Sequence, residues 1–422
     1  MLHMDRRAFG RLLGGATLVA PMLARAQSRP KLVVIGGGAG GATAARYVAK
    51  DSEGAIDVTL IEANPAYTTC FFGNLAMGGF YDWDSLTHSY DRLASNYGVT
   101  MVQAMAQSVD RDAREVVMAD GSRVPYDRLI VSPGIDFRWD ATEGYSEAAV
   151  AKMPHAYKGG TPARELSDRL HALENGQNVV LVAPPNPFRC PPGPYERASM
   201  FAHVLKAKGH DRSKVFVLDH KDSFSKQALF AEGWTRHYGQ MIEWFGPSIH
   251  GGIERVDPDT GEVHTDLDVF QGDLVNFIPA QKAGAIAHAA GLTNESGFCP
   301  VDPATMRSTM DPNIFVLGDS SIAGDMPKSG FSANSQAKVA AMIVRSELIG
   351  ARAFPARFAN TCWSLIAAED GVKVGGQYAP TEEKIATQTS FISQTGEDAA
   401  LRRATFEESL GWYAGITADM FG

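Results

Sequence analysis

The chain has 422 residues, of which 45% are hydrophobic and 21% charged, so it suits two or three folded domains rather than disorder. Its net charge of −9 disfavours partners such as nucleic acid or an anionic membrane surface. No segment beyond the N-terminus is long and apolar enough to predict an integral membrane span.

The first 26 residues predict an export signal of the twin-arginine type. Arg6 and Arg7 belong to a cationic start, an apolar run follows, and Ala24 and Ala26 have the spacing of a cleavage site. Cleavage after Ala26 would remove four arginines and one aspartate and leave a net charge of −12. A surface helix is the alternative. The export signal predicts a periplasmic protein, in which disulfides can persist.

The first motif after this segment is a strand, a glycine loop, a helix and a second strand. The expected strands and helix cover residues 31–35, 58–61 and 42–49. Gly36, Gly38 and Gly41 form the pattern G-x-G-x-x-G, which permits a tight turn, close approach of a pyrophosphate and close packing of the helix. Glu62 ends the second strand, where it can accept hydrogen bonds from ribose hydroxyls. The motif predicts a dinucleotide on a helix N-terminus.

Two later segments indicate that this dinucleotide is FAD. Residues 126–136 and 313–321 resemble the strands that complete the FAD domain of flavoproteins with two dinucleotide-binding domains. In such proteins the aspartate of a pair such as Gly318 and Asp319 contacts the ribityl chain. The helix that follows would point its N-terminal dipole at the isoalloxazine ring and favour negative charge there. We therefore expect an α/β fold with two Rossmann-like domains, as in glutathione reductase.

The second βαβ unit has an altered nucleotide loop. Strands are expected at residues 178–183 and 215–219 and a helix at 195–206, but the loop after the first strand reads PPNPFRCPPGP. Proline removes N–H donors that a pyrophosphate would need. Cys190 lies in this loop. The electrons are therefore expected to come from a donor other than a nicotinamide nucleotide.

The four cysteines are Cys70, Cys190, Cys299 and Cys362. Their spacing alone does not choose among the three possible full pairings. Cys299 precedes a proline in an expected turn, and we interpret it as structural, with a redox or sulfur-carrying role as the alternative.

The expected domain organisation is discontinuous. Residues 30–150 and 271–350 would form the FAD-binding domain, and 151–270 would form an insertion like an NAD domain without the nucleotide fingerprint. Residues 351–422 lack the alternation of strands and helices seen earlier in the chain. They predict a small C-terminal interface domain that ends in a helix.

The whole chain after the export signal resembles the flavoprotein subunit of flavocytochrome c sulfide dehydrogenase, a relative of sulfide:quinone oxidoreductases. The stretches that carry the resemblance include YTTCFFGNLAMGG, FRCPPGPYERASM, GFCPVDPATMRS, NTCWSLIAAEDG and the terminal WYAGITADMFG. The resemblance implies that Cys70 is bonded covalently to FAD and that Cys190 and Cys362 form a redox-active disulfide beside the flavin. It also implies an acid/base role for Glu196. The structural alternatives are burial of Cys70 as a small apolar residue, a purely structural disulfide between Cys190 and Cys362, and stabilisation of Glu196 by the helix dipole.

The resemblance implies oxidation of hydrogen sulfide. Sulfide would attack the disulfide, and two electrons would pass to FAD and then singly to a c-type cytochrome subunit. The chain lacks the motif C-x-x-C-H, so haem c would belong to that partner. We expect Cys362 to lie nearer the flavin and Cys190 to receive the incoming sulfur, and we predict no metal site.

Two other functions are compatible with the sequence. A sulfide:quinone oxidoreductase would share the flavin and disulfide chemistry, but it needs an apolar C-terminal helix on the membrane, whereas the last helix here is rich in Glu and Arg. A non-catalytic flavin-bearing scaffold is the second alternative, because fold alone does not define function.

Overall fold

The computed structural model describes residues 29–422 and shows two parallel sheets followed by a smaller antiparallel unit. The export signal predicted over residues 1–26, with its cleavage after Ala26, lies outside the described residues.

The helices and strands fall into three parts of the chain. The first part contains β1 (Lys31–Ile35), α1 (Gly41–Asp51), β2 (Asp57–Glu62), β3 (Ala66–Thr68), α2 (Gly73–Met77), β4 (Thr87–Ser89), α3 (Asp91–Tyr97), β5 (Thr100–Gln103), β6 (Ala106–Asp110), β7 (Glu115–Met118), β8 (Arg123–Pro125), β9 (Arg128–Val131) and β10 (Ile135–Phe137). The second part contains α4 (Thr161–Ala172), β11 (Val179–Ala183), α5 (Gly193–Ala207), β12 (Val215–Asp219), α6 (Gln227–Tyr238), β13 (Ile242–Phe245), α7 (Pro247–His250), β14 (Ile253–Asp257), β15 (Glu262–Thr265), β16 (Val269–Gln271) and β17 (Leu274–Phe277). The third part contains β18 (Gln281–Ala283), α8 (Ala285–Ala289), β19 (Cys299–Pro300), β20 (Ile314–Val316), β21 (Ser321–Ile322), α9 (Gly330–Ile349), β22 (Phe358–Ala367), β23 (Asp370–Pro380), β24 (Ile385–Ile392) and α10 (Ala399–Phe421).

The first sheet is parallel, with the strand order β20-β9-β1-β2-β5. Alternate residues of β1 serve opposite faces: Leu32 and Val34 pack with α1 and α9, whereas Val33 and Ile35 pack with α8 and the small sheet β6-β7-β8. Burial on both faces explains why these strands read as continuous apolar runs. Because β20 comes from the third part of the chain, the first domain is discontinuous.

The second sheet is also parallel, with the order β13-β12-β11-β17. The return to the first domain was expected at residue 271, but β17 pairs with β11 and completes the second sheet. The burial of all four residues of β17 predicts a strand covered on both faces but does not choose between the two sheets, and its parallel pairing with β11 makes that choice. The return begins at β18, which pairs with β10.

The C-terminal unit consists of the antiparallel sheet β22-β23-β24 and helix α10. It packs on both domains: Phe358, Tyr378 and Phe421 join the core of the first domain, and Ile366 and Val372 join that of the second. This packing carries β22 to the boundary between the two domains. None of the helices within residues 29–422 has the length and apolar character needed to cross a membrane.

These two Rossmann-like sheets confirm the predicted fold class.

Candidate active site

The loop between β1 and α1 is tightly packed around its glycines. Gly36 has a φ of +94°, and a Cβ added to it would lie 2.4 Å from the carbonyl oxygen of Ser132. A Cβ on Gly41 would lie 1.8 Å from the carbonyl oxygen of Gly36, and one on Gly38 would lie 3.3 Å from the ring of Tyr67. The predicted glycines therefore permit the tight turn and the close start of α1.

Glu62 lies at the end of β2, next to this loop. Its Oε2 accepts a hydrogen bond from the Gly37 N–H at 2.8 Å, and its Oε1 accepts two from Asn64 at 3.0 Å. The carboxylate is thus fixed at the glycine loop, where ribose hydroxyls of a bound dinucleotide could reach it.

A large cavity extends from the glycine loop, with a volume of about 840 Å³. Its lining includes Gly36, Gly38, Glu62, Cys70, Gly318 and Asp319. Asp319 supplies a direct test of whether a polar cofactor fits, because its Oδ1 is buried without a hydrogen-bond partner while its Oδ2 accepts from Arg189 Nε at 2.6 Å. Buried polar atoms are normally paired, so the free oxygen fits a hydroxyl of the ribityl chain. Size and polarity therefore fit FAD.

A second, smaller cavity of about 110 Å³ adjoins the first. Its lining includes Cys190, Glu196 and Cys362, so the structure brings together the three residues singled out for sulfur chemistry. Cys70 and Arg189 line both cavities. A group that filled the large cavity would therefore reach the edge of the small one.

Cys190 lies in a strained loop just before α5. Its φ is +55°. The Cys190 N–H donates a hydrogen bond to the Lys328 carbonyl at 2.7 Å, and the Cys190 carbonyl accepts one from the Gly193 N–H at 2.7 Å. Tyr157 Oη also donates to that carbonyl at 3.2 Å. Burial raises the pKa of the Cys190 thiol, and the negative charges that Cys362 and Glu196 can carry raise it further.

Cys362 lies in β22 and has a different environment. Asn360 Nδ2 donates to its Sγ at 3.4 Å, and the Asn360 side chain is fixed in turn by Ser329 Oγ at 2.5 Å. Burial raises the pKa of the Cys362 thiol, but the hydrogen bond from Asn360 and the charge of Lys226 oppose that effect. All four cysteines of the chain are free thiols in this structure. The disulfide between Cys190 and Cys362 stays a prediction.

Glu196 lies in the first turn of α5, with its carboxylate buried. Oε2 accepts from Asn74 Nδ2 at 2.9 Å, and Oε1 accepts from the Leu365 N–H at 2.9 Å. Burial raises the pKa of Glu196, against the effect of these two donors. A carboxyl group with a raised pKa suits proton exchange at moderate pH.

Two buried cations near Glu196 were not predicted from the sequence. Lys226 Nζ donates to the Cys362 carbonyl at 3.1 Å and to Ser364 Oγ at 2.8 Å. Arg197, next to Glu196 in α5, donates to Asn74 Oδ1 at 3.0 Å and to backbone carbonyls. Lys226 is 136 positions from Cys362, so no local pattern marked it. Arg197 could have been noticed as a charged neighbour of Glu196.

Cys299 lies away from this cluster, in the core of the first domain. It is fully buried in β19, and burial raises the pKa of its thiol to about 12. An inert buried thiol suits the structural interpretation of this residue. Within the described residues, no group of three or more His, Cys, Asp or Glu side chains is arranged to hold a metal ion.

The acid at the nucleotide position of the second sheet is hydrogen-bonded within its own domain. Asp219 ends β12, where a nucleotide-binding unit has the acid that accepts from ribose. Here Tyr195 Oη and Trp244 Nε1 donate to its Oδ2 at 2.6 and 3.1 Å, and the Lys221 ammonium contacts its Oδ1. Both carboxylate oxygens of Asp219 thus bond to side chains of its own domain.

The two Rossmann-like sheets and the cavity at the first glycine loop define a flavoprotein with two domains of dinucleotide-binding type. Three family models match the chain: pyridine nucleotide-disulphide oxidoreductase over residues 30–167, the central part of the sulfide dehydrogenase (flavocytochrome c) flavoprotein chain over 163–279, and the flavin-binding part of flavocytochrome c sulphide dehydrogenase over 354–421. The chain belongs to the family of flavocytochrome c sulfide dehydrogenase flavoproteins, related to sulfide:quinone oxidoreductases. It is therefore a flavin-dependent oxidoreductase with FAD as its cofactor. The C-terminal unit, predicted as an interface domain, matches the flavin-binding part.

Curated relatives agree with this assignment. A sulfide dehydrogenase (flavocytochrome c) flavoprotein chain from Chlorobaculum thiosulfatiphilum is 48% identical over 44 residues, which are 10% of this chain and 90% of that sequence. Sulfide-quinone reductase from Aquifex aeolicus is 23% identical over 416 residues, 90% of each chain. A mitochondrial sulfide:quinone oxidoreductase from Dictyostelium discoideum is 22% identical over 299 residues, 69% of this chain and 65% of that relative.

Solved structures show the same fold. The sulfide:quinone oxidoreductase from Aquifex aeolicus has a TM-score of 0.66 at 17% identity and covers 92% of both chains. The covalent putidaredoxin reductase–putidaredoxin complex has a TM-score of 0.63 at 17% identity, with 90% of this chain and 93% of that chain covered. At such identities the likeness concerns the fold alone.

Proposed function

We propose that this chain is the flavoprotein of a periplasmic sulfide dehydrogenase, in which sulfide reduces FAD through a disulfide between Cys190 and Cys362. The observation that carries the proposal is that Cys190, Cys362 and Glu196 line one small cavity that adjoins the cavity fitted to FAD. The family's name supports sulfide as the substrate.

The sulfur step follows thiol–disulfide exchange. HS⁻ attacks the sulfur of Cys190, a new S–S bond forms there, the bond to Cys362 breaks, and Cys362 leaves as a thiolate. The persulfide on Cys190 and the thiolate of Cys362 then give up two electrons and one proton and join in an oxidised bridge that keeps the added sulfur atom between the two cysteine sulfurs. Glu196 accepts the proton, and FAD supplies the two-electron acceptor when it is bound.

The environments of the two thiols support this direction of attack. Asn360 donates to the Cys362 sulfur, whereas the hydrogen bonds shown for Cys190 involve its backbone. A thiolate is better stabilised where a donor faces the sulfur, and the better stabilised thiolate is the better leaving group. Cys362 is therefore the leaving sulfur, and Cys190 carries the sulfur atom that comes from the substrate.

Cys70 would hold FAD covalently. Support comes from its position in the lining of both cavities. The loop that carries it is fixed at Thr69, whose Oγ1 lies 3.1 Å from the hydroxyl of Tyr413 in α10, and at Phe72, whose ring stacks on Tyr413 at 4.5 Å. A fixed loop keeps the thiol at one place on the cofactor.

The electron acceptor would be a c-type cytochrome subunit that carries haem c. The name of the family supports a cytochrome partner. A quinone is the second candidate, because several relatives are named as sulfide:quinone oxidoreductases.

An anaerobic titration tests both parts of the proposal. Sulfide should bleach the visible absorbance of the bound FAD, and oxidised cytochrome c should restore it faster than a soluble quinone analogue does. FAD that stays oxidised in excess sulfide would show that the substrate is wrong. FAD that is reoxidised by the quinone and not by cytochrome c would establish the quinone reductase instead.

A further inference from the structure

Lys226 is a buried lysine that the sulfur chemistry described above does not use. It precedes α6 with a φ of +65°, and only 5% of its surface is exposed. Its ammonium donates to the Cys362 carbonyl at 3.1 Å and to Ser364 Oγ at 2.8 Å, so both hydrogen bonds join it to β22. Both acceptors are neutral, and neither compensates the charge of the lysine.

The charges around the sulfur site do not balance when both cysteines are neutral. Lys226 and Arg197 are buried cations, and Glu196 is the carboxylate that faces both of them. The side-chain hydrogen bonds of Arg197 also go to neutral oxygens, in Asn74, Asn276 and backbone carbonyls. An uncompensated buried charge is costly, so this arrangement favours a state that carries one additional negative charge.

We propose that Lys226 is a positioning residue that stabilises the negative charge on Cys362 when the disulfide opens. The inference rests on the proposed function, since it assigns a further residue to the same site. When HS⁻ bonds to the Cys190 sulfur, the electron pair of the broken S–S bond moves to the Cys362 sulfur. The Lys226 ammonium keeps its protons during this step. Its positive charge stabilises the negative charge on Cys362, to whose carbonyl it donates a hydrogen bond.

The electrostatics agree with this role. Burial lowers the pKa of Lys226 to about 8, and charge on Cys362 opposes that decrease more than charge on Glu196 or Cys190 does. Lys226 therefore keeps its positive charge at neutral pH. The other titratable groups that face Cys362 are Glu196 from α5, Cys190 from the loop before it and Tyr378 from β23. Lys226 is the cation among them.

A purely structural role would depend on the hydrogen bonds of Lys226 rather than on its charge. Two variants separate these roles. Lys226→Gln removes the charge and keeps a donor toward β22, whereas Ser364→Ala removes one hydrogen bond and keeps the charge. Lys226→Met serves as a second neutral variant if the glutamine variant does not fold, and Lys226→Arg restores a positive charge.

The readout is the rate at which iodoacetamide alkylates Cys362 in the FAD-bound protein, followed by peptide mass spectrometry over a range of pH. Cys190 is replaced by serine in every sample, and the protein is reduced, so that Cys362 is a free thiol. The nearby positive charge of Lys226 favours the Cys362 thiolate, so loss of that charge should slow alkylation at pH 7 by roughly tenfold and move its pH profile upward. Ser364→Ala and Lys226→Arg should alkylate within about twofold of the parent.

An unchanged pH profile in the neutral variants would overturn the inference, and so would a Ser364→Ala profile that moves as far as theirs. This measurement uses no sulfide. If sulfide failed to bleach FAD in the unmodified protein, the proposed function would be wrong, but the alkylation profiles would still decide whether Lys226 stabilises the Cys362 thiolate.

Discussion

Replacing Glu196 by glutamine tests the proton acceptor of the proposed reaction. The carboxylate accepts one hydrogen bond on each oxygen, from Asn74 Nδ2 and from the Leu365 N–H. An amide has a single acceptor oxygen, so one of these buried donors would face the amide nitrogen, at a cost of about 1–3 kcal/mol. Removal of the buried charge offsets part of this cost. Loss of a general base should slow sulfide-dependent reduction of FAD by about 10²–10⁴-fold.

The pH dependence of Glu196→Gln has a definite sign. Burial raises the folded-state pKa of Glu196, so the wild-type reduction rate should increase as the pH rises through that pKa and the base form appears. The variant should lack this increase. The same raised pKa means that the contribution of Glu196 to folding is present at low pH and is lost as the pH rises through the folded-state value. The free energy of unfolding of the variant relative to that of the wild type should therefore increase as the pH rises from the unfolded-state pKa of Glu196 to its folded-state pKa.

The assay is anaerobic stopped-flow absorbance of FAD after mixing with sulfide, at a series of pH values. Ionisation of sulfide itself affects both proteins equally and cancels in the ratio of their rates. Glu165→Gln, on the exposed face of the neighbouring helix α4, is the matched control and should behave as the wild type. Equal rates and equal pH profiles for Glu196→Gln and the wild type would refute the assignment of this residue as the base.

Three further results are expected. Cys362→Ser should abolish the rapid bleaching of FAD by sulfide. Cys299→Ser, a change in the core of the first domain, is the control and should leave the bleaching intact. Bleaching that survives in Cys362→Ser would contradict the disulfide mechanism. The denatured wild-type chain should keep the mass and visible spectrum of FAD, and the denatured Cys70→Ser chain should lose both. Release of FAD from the wild type on denaturation would show that Cys70 is not bonded to it. NADH should not reduce FAD at a catalytic rate, because prolines replace N–H donors in the loop after β11 and Asp219 accepts hydrogen bonds within its own domain. Fast reduction by NADH would contradict this prediction.

The features that depend on local geometry could be predicted from the sequence. The turn at Gly36, the start of α1 at Gly41 and the acid at Glu62 follow from residues within one βαβ unit, because hydrogen bonds between near neighbours fix their shape. The meeting of Cys190 with Cys362 is different. Their spacing left three pairings open, and only the family resemblance predicted their meeting.

Lys226 depends on packing between distant parts of the chain. It meets Cys362 because β22 of the C-terminal unit lies against α6, and no pattern in either segment indicates that contact. Asn360, by contrast, lies two residues before Cys362 on the same strand. The boundary at residue 271 failed for a related reason. The buried run of β17 could extend either sheet, and its pairing with β11 decides the matter.

The start of α5 explains how a nucleotide-binding unit can serve sulfur chemistry. In such a unit the helix after the first strand directs free N–H groups and a positive dipole at a pyrophosphate. Here Pro192 and Pro194 flank the first residue of the helix and remove donors, and Glu196 places a carboxylate in the first turn, where it would repel phosphate. The dipole stabilises that carboxylate, while burial destabilises its charge, and burial is the larger effect because the pKa of Glu196 is raised. The helix N-terminus therefore holds a proton acceptor at the position where a nucleotide-binding relative of this fold would hold a phosphate.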